Sequence, residues 1–369
     1  MKLCSLWLTL LLPVAISLSA VEPSPPFRLA IVGLDHGHVD GFLADALARS
    51  DVQIVGVVEP KPALAAQYAA HFHLPPALQF ASLESMLDTA KPEAVAVFTS
   101  TFDHKQVVET CAAHGVHVMM EKPLAVSLEH ARAMAAAARA RRIHVIVNYE
   151  TTWYPSNALA RDLALRQGAI GELRKIVVRS GHQGPREIGC PESFLIWLTD
   201  PRLNGGGALM DFGCYGADLI TWLLQGQRPL RVTAVTQQLK PDVYPRVDDD
   251  ATIILEYPHA EGLIQASWNW PIGRKDMDIY GVGGEILVPD RATLQLRKPD
   301  GETRALQPGS LAAGYRDPIS YFKAVVRGEV PEHPLSSLAT NLVVTEILDA
   351  ARESARTHHS VELPADPGT

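Results

Sequence analysis

Three side chains in this sequence have the chemistry to move a proton at a hydroxyl group. Lys122 lies in "VMMEKPLAVS", residues Val118 to Ser127, where a strand-like apolar run stops at Glu121-Lys122-Pro123 and a helix-like run begins. A lysine at the carboxyl edge of a parallel sheet stands on the ligand-binding edge, where it can hold a hydroxyl or pass its proton. Proline fixes the backbone behind it, and a cis Lys-Pro bond suits so tight a turn. Asp211 and Tyr215 are four residues apart in "GGGALMDFGCYGADLITWLL". That spacing, on a helix opened by glycines, puts both on one face. The three would form a relay around one hydroxyl, with Tyr215 or Lys122 as the base. A phenol, with a pKa of about 10, needs a nearby cation to act near neutrality, and Lys122 is the candidate.

A second constellation concerns anion binding. "AIVGLDHGHVDGF", residues Ala30 to Phe42, joins a strand-like run to a helix-like one. A dinucleotide-binding turn has G-x-G-x-x-G there. Gly33 fits the first position, but Asp35 replaces the second glycine and His38 the third. Glu59, in "VVEPKP" at the end of the next strand pattern, is placed to bind ribose hydroxyls, and its carboxylate favours NAD over NADP. Asp35 opposes this reading. Two like charges about 4–5 Å apart cost roughly 3–4 kcal/mol at an effective dielectric near 20. Protonated His36 and His38 would offset it, or Asp35 could turn away to cap the helix starting near His38. Asp35, His36 and His38 as metal ligands are a further option; histidines on a loop are more often hydrogen-bonders, and no metal is expected. The turn reads as a reworked nucleotide site.

These residues need a scaffold. From Phe27 to about residue 150, five short β-rich runs alternate with helical stretches, the signature of βαβ units and a doubly wound parallel sheet. From residue 151 to residue 363 the rhythm changes to strands separated by turn signals, then a closing helix over "ATNLVVTEILDAARESART" expected to pack back on the first domain. The fold class is α/β: a Rossmann domain followed by an α/β domain with an open, mostly antiparallel sheet.

The E-K-P stretch, "VFTSTFDHKQVV", "QGAIGELRKIVV", the G-G-G…D…Y segment, "DDDATIILEY" and "DAARESARTHHSVEL" follow one pattern in one order. The chain resembles the family of sugar and polyol oxidoreductases that contains glucose-fructose oxidoreductase and inositol 2-dehydrogenase. The resemblance implies NAD, with NADP as the alternative, as cofactor. It implies a carbohydrate or polyol substrate and a second sheet serving as substrate wall and homo-oligomer contact. Its E-K-P falls on Glu121 and Lys122. Its strand-four T-P-N-x-x-H segment falls on Thr99, Ser100, Thr101 and His104, with Ser100 for proline and Thr101 for asparagine. Its asparagine after strand six falls on Asn148. The histidine ending G-G-G-x-x-x-D-x-x-x-H is here Tyr215, as in the glucose-fructose oxidoreductase branch. Trp153, Tyr154, Trp197 and Trp268 are rings available to stack on a sugar.

The bulk features narrow the function classes. The chain has 369 residues, 47% hydrophobic and 20% charged, room for two cores. A net charge of -8 argues against nucleic acid as a partner. Residues 1–20, "MKLCSLWLTLLLPVAISLSA", read as a cleavable leader for the general export route, so the protein is expected to be secreted or periplasmic, with no membrane attachment after cleavage. Cys111, Cys190 and Cys214 then remain, too scattered for a disulfide framework or a metal motif. Free nicotinamide nucleotides are scarce outside the cytoplasm, so an exported enzyme must capture its cofactor tightly. Two alternatives follow: a glycosidase or lyase that retains NAD and oxidises its sugar only transiently, and a non-catalytic sugar-binding descendant.

Overall fold

The computed structural model describes residues 25–364; the leader expected at residues 1–20 lies outside them. The first sheet has six strands: β1 (Phe27–Val32), β2 (Val52–Val58), β3 (Gln79–Phe80), β4 (Ala94–Val97), β5 (His117–Glu121) and β6 (Val145–Asn148). Their order is β3-β2-β1-β4-β5-β6, all parallel. The helices between them are α1 (Val39–Ala48), α2 (Pro62–His71), α3 (Leu83–Ala90), α4 (His104–Ala113) and α5 (Leu128–Arg141). β1, β4 and β5 are buried almost throughout, which is why they read as continuous apolar runs. The order reverses between β1 and β4, and the crevice at their carboxyl ends is where such sheets bind ligands.

The second domain begins with α6 (Pro155–Arg161) and β7 (Leu173–Gly181). Three helices follow: α7 (Glu192–Leu198), α8 (Ala208–Asp211) and α9 (Gly213–Leu223). Then come β8 (Arg231–Gln237), β9 (Asp250–Glu256), β10 (Glu261–Ser267), β11 (Arg274–Gly281), β12 (Gly284–Val288), β13 (Leu294–Arg297) and β14 (Thr303–Leu306). α10 (Pro318–Val326), α11 (Leu338–Thr357) and β15 (Val361–Glu362) close the chain. The nine strands are antiparallel except where β7 meets β10. "DMDIYGVGGEILV" forms a hairpin of β11 and β12.

One core of buried side chains runs through both sheets, from Val97 and Leu124 to Tyr215 and Ile253, so the two domains share an interior. Polar ties cross the same seam. Arg352 donates to the carbonyls of Gly205 (2.7 Å) and Val126 (2.8 Å), and Thr101 Oγ1 donates to Asn204 at 3.0 Å. The closing helix α11 lies against β8 and α9 of the second domain as well as α5 and β6 of the first. α10 returns to the first domain as well: Phe322 meets Phe27 edge-on at 5.8 Å, and Asp317 and Lys323 pair with Arg49 and Asp51. Among the described residues, no helix is long and apolar enough to cross a membrane.

Asp218 of α9 is fully buried, and neither carboxyl oxygen has a hydrogen-bond partner. Burial raises its pKa well above 3.8, so the folded protein keeps it neutral. The unfolded chain releases that proton near the ordinary value, so this group costs stability increasingly as pH rises above it. Asp218→Asn is therefore expected to melt about 2–4 °C above wild type at pH 8, the shift that about 1 kcal/mol gives. The two melting curves should converge near pH 4; a less stable variant at pH 8 would refute the assignment.

Candidate active site

Lys122 leaves the end of β5 through a cis Lys122–Pro123 bond, and its side chain is buried. Its Nζ donates to Asp211 Oδ1 at 2.5 Å and lies 5.4 Å from the centre of the Tyr215 ring. The relay residues therefore meet, Lys122 from one side of the domain seam and Asp211 and Tyr215 from the other. They do not share one helix. The chain breaks at Phe212, leaving Asp211 at the end of α8 and Tyr215 in the first turn of α9. Asp248, from the D-D-D run, explains α8: its carboxylate accepts from the amides of Gly207 (2.8 Å) and Leu209 (2.7 Å). Trp268 donates its indole N–H to Asp211 Oδ2 at 2.9 Å, so it orients a carboxylate and is no sugar platform.

Burial changes the expected proton roles. It works to lower the Lys122 pKa, but the Asp211 carboxylate beside it prevails and holds the ammonium above the usual lysine range. Burial also works to raise Asp211, and Lys122 holds it down. Tyr215 is pushed well above 10, by burial first and by Glu150 next. Two ammonium groups lie near its ring, Lys122 at 5.4 Å and Lys275 at 4.7 Å. Lys122 and Tyr215 are thus both shifted upward in the folded chain, Lys122 by Asp211 and Tyr215 by burial. Lys275 pairs with Glu150, which also accepts from Tyr154 Oη at 2.5 Å. Glu150 stands on the walls of two cavities, of about 640 and 790 Å³. His182 lines the larger; its Nδ1 accepts from the Gly184 amide at 2.9 Å, so Nε2 carries the proton. Burial lowers its pKa and keeps it neutral.

At the nucleotide turn, Gly33 has φ +82, and a Cβ there would sit 2.6 Å from Thr99 Cγ2. Asp35 does not cap α1; it pairs with Lys61 at 2.8 and 2.9 Å, a countercharge the sequence did not reveal. His36 is buried and its pKa falls well below 6.5, chiefly by desolvation, so it supplies no charge against Asp35. Glu59 accepts from the Leu34 and Lys61 amides, both at 2.9 Å, and lines a cleft of about 340 Å³ with Gly33, Asp35 and Thr99. Of the strand-four residues, only Thr99 reaches that cleft among its lining residues. Ser100 bonds Asp103 at 2.6 Å, Thr101 bonds Asn204, and buried His104 faces the Leu124 carbonyl at 3.1 Å. Most amides of the turn are satisfied internally: Gly33 by Val58, Leu34 by Glu59, His36 by Phe98, His38 by His36. Asp35 and Gly37 keep theirs free of protein acceptors among the described residues. A cleft lined by Gly33, the Glu59 carboxylate and Asp35, whose amide is free, fits an adenosine end and part of a diphosphate.

The trio Asp35, His36 and His38, weighed as a metal-ligand option, does not assemble among the described residues. The third member beside the two histidines is Glu121. His36 Nδ1 accepts the His38 amide at 3.1 Å, so in the neutral ring Nε2 carries the proton and is no metal-ligand atom. Glu121 Oε2 lies 3.1 Å from His38 Nδ1, and Oε1 accepts from Asn148 Nδ2 at 3.0 Å. Trp153 donates to Asn148 Oδ1 at 3.0 Å and packs on Tyr321 at 5.2 Å, while Trp197 packs on His36 at 5.6 Å. Glu150, His182 and Lys275 were not singled out from the sequence, and His38 was considered there only as a countercharge or a metal ligand. A histidine at the third fingerprint position was the available signal for His38; the other three carry no motif.

Comparison with known proteins agrees with this architecture. Residues 27–149 match the model of an oxidoreductase family with an NAD-binding Rossmann fold, and residues 160–287 match the GFO/IDH/MocA C-terminal domain. Trans-1,2-dihydrobenzene-1,2-diol dehydrogenase of Mus musculus is 26% identical over 320 residues, spanning 84% of this chain and 90% of that protein. Aldose-aldose oxidoreductase from Caulobacter crescentus superposes with a TM-score of 0.76 at 22% identity, covering 92% of this chain and 100% of that one. An inositol dehydrogenase homolog from Azotobacter vinelandii, complexed with NAD+, gives 0.79 at 20% identity, covering 93% and 98%. With both halves matched in order, the chain belongs to the GFO/IDH/MocA family of NAD-binding oxidoreductases.

Proposed function

We propose that this oxidoreductase is exported and oxidises a secondary hydroxyl of a polyol or sugar, or reduces the corresponding carbonyl. The observation that carries the reading is the buried Lys122–Asp211 pair, closed against Tyr215 from across the domain seam. Glu59 would hold the ribose end of the cofactor, and its carboxylate disfavours a 2'-phosphate. Bound NAD supplies a hydride acceptor. Lys122, an ammonium fixed by Asp211, donates toward the substrate oxygen and stabilises negative charge developing there. Tyr215 retains its proton and offers a second donor.

The substrate class has two supports. Relatives are named for a vicinal diol, and a homolog of inositol dehydrogenase was crystallised with NADH and myo-inositol. Val235 and Ile254 lie exposed on β8 and β9, a surface suited to pairing of two copies through the second sheet.

The purified chain without residues 1–20 is to be titrated with NAD+ and NADP+ by tryptophan fluorescence. It is then assayed for reduced nicotinamide on myo-inositol, D-glucose and trans-1,2-dihydrobenzene-1,2-diol. Preference for NAD+ with turnover of at least one probe is expected; failure to bind either nucleotide would defeat the proposal. Mass spectrometry of the N-terminus from the native host, expected after residue 20, tests export.

A further inference from the structure

The larger cavity, of about 790 Å³, opens beside the reaction residues. Phe212 and Lys275 stand on its wall, and both reach them. Lys275 Nζ lies 4.7 Å from the centre of the Tyr215 ring, and Lys122 Nζ lies 5.9 Å from that of Phe212. Lysine and arginine supply four cations to this wall, Arg179, Arg274, Lys275 and Arg291. Lys275 is paired with Glu150, Arg179 with Asp276 and Asp278, and Arg274 with Asp276. Arg291 pairs with no carboxylate among the described residues. Asp290 beside it is occupied in its own turn, where it accepts from the Ala292 and Thr293 amides at 2.7 and 2.8 Å and from Thr293 Oγ1 at 2.9 Å. His182 is kept neutral by burial and adds no charge.

We propose that Arg291 binds the carboxylate of an acidic sugar, a uronate or aldonate, whose other end is oxidised beside Lys122 and Tyr215; this rests on the function proposed above. The guanidinium is held in position. It lies over the Tyr154 ring, 5.8 Å from its centre, a cation–π arrangement. Its backbone is pinned by buried Ser156, whose amide donates to the Arg291 carbonyl at 3.3 Å and whose hydroxyl donates to the Asp290 carbonyl at 2.7 Å. Tyr154 spans the interval to the reaction residues: its ring lies under Arg291, and its hydroxyl donates to Glu150, the partner of Lys275. A sugar acid laid along Tyr154 has its carboxylate at the guanidinium and its far hydroxyl at the domain seam. The planar fork of arginine matches a carboxylate with two parallel hydrogen bonds. One unpaired guanidinium balances one negative charge, which favours a carboxylate over a phosphate dianion.

The chain without residues 1–20 is to be assayed with NAD+ on D-glucuronate, D-glucose 6-phosphate and D-glucose, which share one reacting end. kcat/KM is expected to be about tenfold or more higher for glucuronate than for either of the others, chiefly through KM. Arg291→Met is expected to cut the glucuronate-to-glucose ratio of kcat/KM about 10–100-fold, the worth of hydrogen bonds to a charged group. Arg291→Lys should recover part of it. A wild type without preference for glucuronate, a preference for the phosphate, or a ratio unchanged in Arg291→Met overturns the proposal. If wild type oxidises none of the three, the function proposed above fails on these sugars by itself. Calorimetric titration of wild type and Arg291→Met with D-glucuronate, NAD+ present, then decides the role of Arg291. Binding weakened about 10–100-fold by the substitution is expected; equal binding, or none to wild type, overturns it.

Discussion

Lys122→Ala is expected to lower turnover by about 10²–10³-fold, the scale lost when one donor to a developing oxyanion is removed. The same change should also weaken the fold, because Asp211 would stay buried without its cation. Breaking a buried pair from one side costs about 3–5 kcal/mol. Inactivity of the single variant is therefore ambiguous between lost chemistry and lost structure. The variant carrying both Lys122→Met and Asp211→Asn separates them. It removes both charges while leaving Trp268 an oxygen to donate to, so most of the stability should return while turnover stays down. Activity and melting temperature measured on wild type, the single variant and the double variant decide it. A double variant as active as wild type would remove the pair from the reaction; a single variant as stable as wild type would mean that Asp211 is not held as described.

Gly207→Ala is expected to cost about 3–5 kcal/mol, in the range of the most damaging single substitutions. A Cβ at this position would lie 1.7 Å from the carbonyl oxygen of Asp248 and 2.8 Å from its carbon. The obstacle is backbone, so no rotamer change relieves it. The displaced strand end carries the carboxylate that caps α8, and α8 carries Asp211. Stability and turnover should therefore fall together. Gly206→Ala is the control: its Cβ would meet Met210 Cγ, a flexible side-chain atom, at 3.0 Å, and the cost should stay below about 1 kcal/mol. Urea unfolding of the two variants checks this, and equal losses would refute the close-approach explanation for the third glycine of the run.

The sequence by itself determined the frame. The five apolar runs of the first domain correspond to β1, β2, β4, β5 and β6, since strands buried on both faces need unbroken β-branched residues and no partner outside the sheet to be recognised. The two-residue β3, the short β14 and β15, and the helices α7 and α10 carried too few periodic residues to announce themselves. Lys122, Asp211 and Tyr215 were also legible, because a strand end and a glycine-opened turn are local signals.

What those groups do with protons was decided by the tertiary structure. The partner of Asp35 is Lys61, 26 residues on; the orienting donor for Asp211 is Trp268, 57 residues on; the carboxylate behind His38 is Glu121, 83 residues on. Charge state follows from burial and from neighbours a few ångströms away. Both are properties of packed chains, which is why neither the partners nor the charge states of these groups could be read from spacing.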